Sequence, residues 1–213
     1  MSKYPRTYHF SFSPGATNDD RIADDMSNLI GKDIVISEKL DGENTGMTKG
    51  GVYARSHAAY TTSAWSREVR QIHDRIKFDI PEDVFIFGEN MEGIHSIEYS
   101  NLTSYFYIFG IRDNNIWIPW KDVEDLAYLL DIPTVPVLFK GVVNSEKELK
   151  VLVETLSKQP SVLGGQREGI VCRNASLFHN DYFAQNVMKW VRKGHVTTDE
   201  HWQRNWKKSK IKR

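Results

Sequence analysis

Residues 34–42, IVISEKLDG, constrain this chain more than any other stretch. An apolar, β-branched run ends at Lys39, and an Asp-Gly pair, Asp41-Gly42, follows almost at once. A strand therefore stops here and leaves its last side chains facing a cleft. A lysine in that position is a candidate nucleophile. The plainer reading of the same residues is a hairpin, with Lys39 a solvated edge residue and Asp41-Gly42 supplying positive φ angles. The rest of the chain decides between them.

At 213 residues, with 40% hydrophobic and 26% charged positions, the chain is long enough for one large domain, alone or with a small appendage. Its one cysteine, Cys172, excludes an intramolecular disulfide and fits a reducing compartment; it reads as a buried strand residue. The N-terminus lacks an apolar signal core, and no stretch approaches the length of a membrane span. The expectation is a soluble, cytoplasmic protein with no membrane partner. Formal net charge is zero but unevenly spread, with nine Lys/Arg against two acids in residues 182–213. Trp190, Trp202 and Trp206 are interleaved with these cations, as on surfaces that bind nucleic acid, whereas disordered tails are poor in aromatics.

In chain order, residues 4–16 read as an ordered loop. Asn18 or Asp19 caps a helix carrying Ile22, Met26, Leu29 and Ile30, with Gly31 as its stop. Strands follow at 33–39, 45–48, 52–56 and 84–89, with a helix over 63–76. The run YFYIFGI at 105–111 reads as a buried strand, turned back by residues 113–115. Helices over 121–130 and 145–157 flank a strand at 135–143 that Pro136 interrupts, and Ser145 with Glu148 forms a capping box. Strands at 168–172 and 185–191 complete an α+β pattern. The seven histidines show no metal-ligand spacing; His195 and His201 are too loosely placed for a zinc pair, and His57 is a neighbour of Arg55.

Attack by a lysine on a nucleotide's α-phosphate needs an amine that can become neutral, which burial or cationic neighbours promote. It also needs cations and a metal for the phosphates, a carboxylate for the ribose and an aromatic face for the base. At strand ends the chain offers Lys39 and Asp41, Arg55 in YARSH, Glu89 in FIFGEN, Phe109, Glu168 in EGIVCR, and Lys189, Arg192 and Lys193 in MKWVRKG.

This ordered series resembles the motif series of the covalent nucleotidyltransferases (DNA ligases, RNA ligases and mRNA capping enzymes), most closely the ATP-dependent RNA ligase family. The resemblance extends to YHFSFSPGATNDDRI and KGHVTTDEHW. It implies that Lys39 carries AMP, that Arg55 contacts ribose or phosphate, that Glu89 binds the ribose and that Phe109 stacks on adenine. Glu168 would work through the catalytic metal, and Lys189 would contact the α-phosphate. Asp41 is grouped with the catalytic residues, and Glu38, Arg192 and Lys193 with the nucleotide-binding ones. The implied fold is an ATP-grasp-like nucleotidyltransferase domain of antiparallel sheets flanked by helices over residues 1–194. A basic segment, 195–213, follows, and there is no OB domain. The implied reaction joins 5′-phosphate and 3′-hydroxyl ends of RNA, or of DNA, with ATP and Mg2+ or Mn2+, an accessory protein or domain taking the place of the OB fold. A DNA ligase core, a GTP-using capping-type enzyme and a binding module that keeps the fold without the chemistry are the alternatives. The sequence departs from the family pattern at Val191, where a second lysine is usual, and at Gly110, where an aspartate is.

Overall fold

A computed structural model of the chain describes residues 3–55, 59–194 and 202–212; His57, His195 and His201 lie outside them. In order, the strands are β1 (Tyr8–His9), β2 (Asp33–Lys39), β3 (Glu43–Thr48), β4 (Gly51–Ala54), β5 (Val84–Asn90) and β6 (Phe106–Asp113). Then come β7 (Ile116–Trp117), β8 (Val137–Val142), β9 (Gly169–Asn174), β10 (Phe178–His179) and β11 (Val187–Val191). The helices are α1 (Arg67–Ile76), α2 (Trp120–Leu129), α3 (Glu146–Ser157) and the single turn α4 (Phe183–Asn186). One sheet runs β1-β11-β9-β2-β8 and the other β10-β7-β6-β5-β3-β4. All pairings are antiparallel except β1 with β11. No helix among the described residues is long and apolar enough to cross a membrane.

The two-residue period of β2 sorts its side chains between two environments. Ile34 and Ile36 join Leu149 and Val153 of α3 in one apolar cluster, whereas Val35 packs into the larger cluster under the second sheet. Lys39 shares the face of Val35 and Ser37, and Glu38 shares that of Ile34 and Ile36. Cys172 of β9 lies fully buried beside the isoleucines.

After Leu40 the chain leaves the first sheet and enters the second. β2 is laddered to β8 and β9, and β3 to β4 and β5, so β2 and β3 do not pair and the hairpin reading of residues 39–43 is excluded. Asp41-Gly42 is a crossing between sheets, and the true hairpin, β3 to β4, turns at Lys49-Gly50.

The helix expected from Asn18 to Ile30 is absent; only a 3-10 turn, Ser27–Leu29, forms there. His9 N–H donates to Arg21 O at 2.7 Å and Ala23 N–H donates to His9 O at 2.8 Å, which holds residues 21–23 extended beside β1. Tertiary pairing overrides the local helical spacing. The capping box of α3 is present, Ser145 Oγ accepting from Glu148 N–H. In the basic C-terminal stretch, Ile94 N–H donates to Lys207 O at 2.8 Å, Ser209 N–H to Glu92 O at 2.8 Å and Lys212 N–H to Leu102 O at 2.7 Å. Ile211 packs on the larger cluster, and Trp206 meets Trp65 edge-on at 6.3 Å. The side chain of Trp202 lies outside what is described.

The crossing leaves no room at Gly42, where a Cβ atom would come within 2.5 Å of Asn90 O and 2.7 Å of Met91 Sδ. Overpacking of this kind costs about 1–3 kcal/mol. Gly42→Ala is therefore expected to lower the urea midpoint of unfolding at unchanged slope; an unchanged midpoint would show that the crossing yields freely.

Candidate active site

Between the sheets lies a cleft of about 610 Å³. The first sheet contributes Lys39 from the end of β2 and Lys189 from β11, and the second contributes Glu89 from β5 and Phe109 from β6. Glu168, just before β9, stands opposite Lys39. Its two oxygens accept from Lys39 Nζ at 2.8 and 2.7 Å, across 129 residues of chain. Register explains the meeting, because Lys39 pairs with Gly169 across the β2–β9 ladder.

Burial pushes the Lys39 ammonium down, but the carboxylates of Glu168, Glu89 and Asp41 outweigh it and hold the group above its ordinary value. This reverses the expectation of a lysine already neutralised by burial or cationic neighbours. The resting amine is a charged, paired group. Glu89, which accepts from Gly42 N–H at 3.2 Å, is pushed up to about 8, chiefly by burial and further by Glu168 and Asp41, with Lys39 opposing.

Asp41 lies close by, but it is not among the residues lining the cleft. Its Oδ2 accepts from Ser96 N–H, Ser96 Oγ–H and Ile97 N–H at 2.7–2.8 Å, while its own N–H donates to the Tyr99 hydroxyl. It fixes the crossing to the 96–97 loop. Glu38 borders the cleft, yet its Oε2 accepts from Val162 N–H and its Oε1 sits 3.4 Å from Arg167 Nε, a buried pair on the face opposite Lys39. Arg55 is exposed at the rim, near Lys3 and Arg6. Arg192 and Lys193 are not among the residues lining the cleft. Along β11, Val187, Lys189 and Val191 share one face, so Arg192 follows on the other; its Nη1 donates to Gly194 O at 3.0 Å.

Four cleft residues had no part in the sequence-based site. Tyr4 packs against Phe87, Phe109, Trp117 and Phe183 with ring centroids 5.1–5.5 Å apart, and burial pushes its hydroxyl up to about 12. Arg173 is buried over the rings of Trp120 and Phe178, and that burial pushes it down to about 10. His95 is pushed down to about 4 by burial. Asp20 lies 3.7 Å from Lys189 Nζ. For Tyr4 and Asp20 the prior signal was the density of aromatics and charges in KYPRTYHF and TNDD, which carries no register, and Arg173 stands at the end of EGIVCR.

A family model described as RNA ligase matches residues 32–191. The fold is similar to that of a Naegleria gruberi RNA ligase variant with ATP and Mn, at 16% identity and a TM-score of 0.59, covering 92% of this chain and 59% of that one. It is also similar to the Naegleria gruberi RNA ligase with PPi, at 16% identity and a TM-score of 0.57, over 90% of this chain and 58% of that one. An archaeal ATP-dependent RNA ligase gives 15% identity and a TM-score of 0.60, over 92% of this chain and 49% of that one. The chain thus spans about half to three-fifths of the length of these proteins. No curated protein matches it.

Glu89 titrates in the folded chain near 8, above its ordinary 4.5, so folded molecules keep a proton that unfolded ones release. Stability contributed by that proton is complete below the lower value and is lost as pH rises through the upper one. Glu89→Gln cannot ionise. Between about pH 5 and pH 9 it is expected to gain about 1–3 kcal/mol relative to the parent chain, measured by urea unfolding at both values. Parallel pH slopes in the two proteins would contradict the assignment.

Proposed function

The chain belongs to the RNA ligase family, and on that premise we propose that it is an ATP-dependent RNA ligase in which Lys39 is the residue that accepts AMP. The observation that carries this reading is Lys39 Nζ at the cleft floor, held by both oxygens of Glu168. Glu89, Phe109 and Lys189 line the same cleft. An amine so placed can be released as one defined nucleophile by a change at a single carboxylate.

In the proposed first step, Lys39 leaves Glu168, sheds a proton to water and attacks the α-phosphorus of ATP. The N–P bond forms as the bond from the α-phosphorus to the bridging oxygen breaks, and pyrophosphate departs with that electron pair. Lys189 and Arg55 supply positive charge to the phosphates, Glu89 receives the ribose hydroxyls, and Phe109 offers its face to adenine. AMP then passes to the 5′-phosphate of an RNA end, and a 3′-hydroxyl attacks that phosphate and releases AMP. The Naegleria gruberi structures with ATP and Mn support the choice of nucleotide and metal.

The donor set suits such a metal. Among the described residues no three or more His, Cys, Asp or Glu side chains converge into a metal cage. Mg2+ or Mn2+ held by one or two carboxylates together with substrate phosphates needs none. Glu168 is the carboxylate that would hold it. When bound, the ion supplies charge that screens the triphosphate and competes with Lys39 for Glu168.

RNA is the proposed partner, with the basic C-terminal stretch as part of its binding surface. Arg204, Lys207 and Lys210 are exposed there, while Lys208 is held by Glu68 at 2.6 Å.

Incubation with α-labelled ATP and Mg2+ is expected to label the chain covalently, and Lys39→Ala to abolish the label. Undiminished labelling of that variant would remove Lys39 from the chemistry, and preferential labelling by GTP would indicate a capping-type enzyme. Phe109→Ala is expected to weaken ATP binding by about 1–3 kcal/mol, the scale of one base–aromatic stack, in a nucleotide titration. For RNA, replacing Arg204, Lys207 and Lys210 by Gln should shallow the slope of log affinity against log salt by roughly one for each phosphate those cations neutralise. A slope equal to that of the parent chain would place the RNA elsewhere.

A further inference from the structure

The stretch HFSFSPGATNDD closes around the end of β11 and leads to Lys189. β1 lies parallel to β11 with His9 opposite Lys189, so these two side chains stand side by side on adjacent strands. Beyond β1 the loop seats on the strand's end. Gly15 N–H donates to Val191 O at 2.9 Å, and a Cβ at Gly15 would lie 2.4 Å from Arg192 O, so only glycine fits there.

The side chains in this clamp form a directed series. Ser13 Oγ accepts from Val191 N–H at 2.9 Å and lies 2.9 Å from His9 Nδ1, but 3.5 Å from Val191 O. Its hydroxyl hydrogen is best used on His9 Nδ1, which leaves the His9 proton on Nε2, facing Asp20 Oδ1 at 3.3 Å. The same Oδ1 lies 3.7 Å from Lys189 Nζ. The other oxygen of Asp20 accepts from Thr17 N–H at 3.1 Å and Thr17 Oγ–H at 3.0 Å. Asp20 is thus fixed on one oxygen by Thr17 and shared on the other between His9 and Lys189.

Resting on the functional reading above, we propose that Asp20, oriented by His9, is the counter-ion and positioning residue of Lys189, holding its ammonium at the cleft wall until a nucleotide phosphate takes it over. Lys189 needs such a partner. Burial lowers its proton affinity, as do the charges of Lys39 and Arg55, while Asp20 and, less strongly, Glu168 oppose them. Asp20 itself is held near 2, its bonds from Thr17 and its neighbours His9 and Lys189 outweighing burial, so it is a carboxylate at any working pH.

The test measures Lys189 directly. Competitive acetylation of lysines by acetic anhydride across a pH series, read by mass spectrometry, reports the pH at which Lys189 becomes reactive, without ATP or turnover. Asp20→Asn is expected to move that midpoint down by about one to three pH units. The alkaline limb of the lysyl-AMP rate should shift to lower pH by a similar amount. His9→Leu should shift both in the same direction, and His9→Gln, which keeps a donor toward Asp20, should restore them. Thr17→Val, at an exposed site, removes only one bond to Asp20 and should give a smaller downward shift, so the proposal stays testable should Asp20→Asn fail to fold. An unmoved Lys189 midpoint in folded Asp20→Asn overturns the proposal, as does a moved midpoint with an unmoved limb. A chain that never forms lysyl-AMP sinks the functional reading, while the acetylation midpoint still decides whether Asp20 governs Lys189.

Discussion

One contact organises this molecule: the Lys39 ammonium on the Glu168 carboxylate, 2.7 Å apart where the two sheets approach each other. Burying an ion pair contributes little net stability, because both desolvation costs oppose the attraction. Its value lies in specification. It selects one register of β2 against β9 and one direction for the Lys39 side chain, and it holds the amine as a charged, paired group.

The rest of the cleft is an arrangement of opposed charges in a low-dielectric space. Glu89 and Asp41 lie close enough to Lys39 to raise its proton affinity, and Lys39 in turn lowers that of Lys189. Asp41 is removed from the contest by three donors from residues 96 and 97, and Asp20 is anchored by Thr17. The aromatic cluster of Phe87, Trp117, Phe178 and Phe183, with Tyr4 set into it, forms the apolar end of the same space. The cleft thus combines charged groups with a cluster of rings, and the Arg173 guanidinium lies over Phe178 within that cluster.

Much of this was legible beforehand. Period-two runs located most strands to within one or two residues, and the capping box located α3, because these signals are local. The order of Lys39, Glu89, Phe109, Glu168 and Lys189 along the chain pointed to a shared site, and these five do line or border one cleft. The N-terminal third misled. Apolar spacing over residues 18–30 suits a helix, yet the ladder to His9 offered the backbone better partners, and nothing within that window records the existence of His9.

By itself the sequence determined most of the extended and helical segments beyond residue 30, since propensity and periodicity act over a few neighbours. Tertiary structure decided which of those charges meet. That the Glu38 carboxylate pairs with Arg167, that Arg192 lies outside the cleft lining, that Asp41 supports a loop, that Lys39 rests protonated on Glu168, and that Asp20 reaches Lys189 all follow from tertiary packing and burial. Both are properties of segments distant in sequence, and a one-residue change of register in β2 would send Glu38 and Lys39 to the other face.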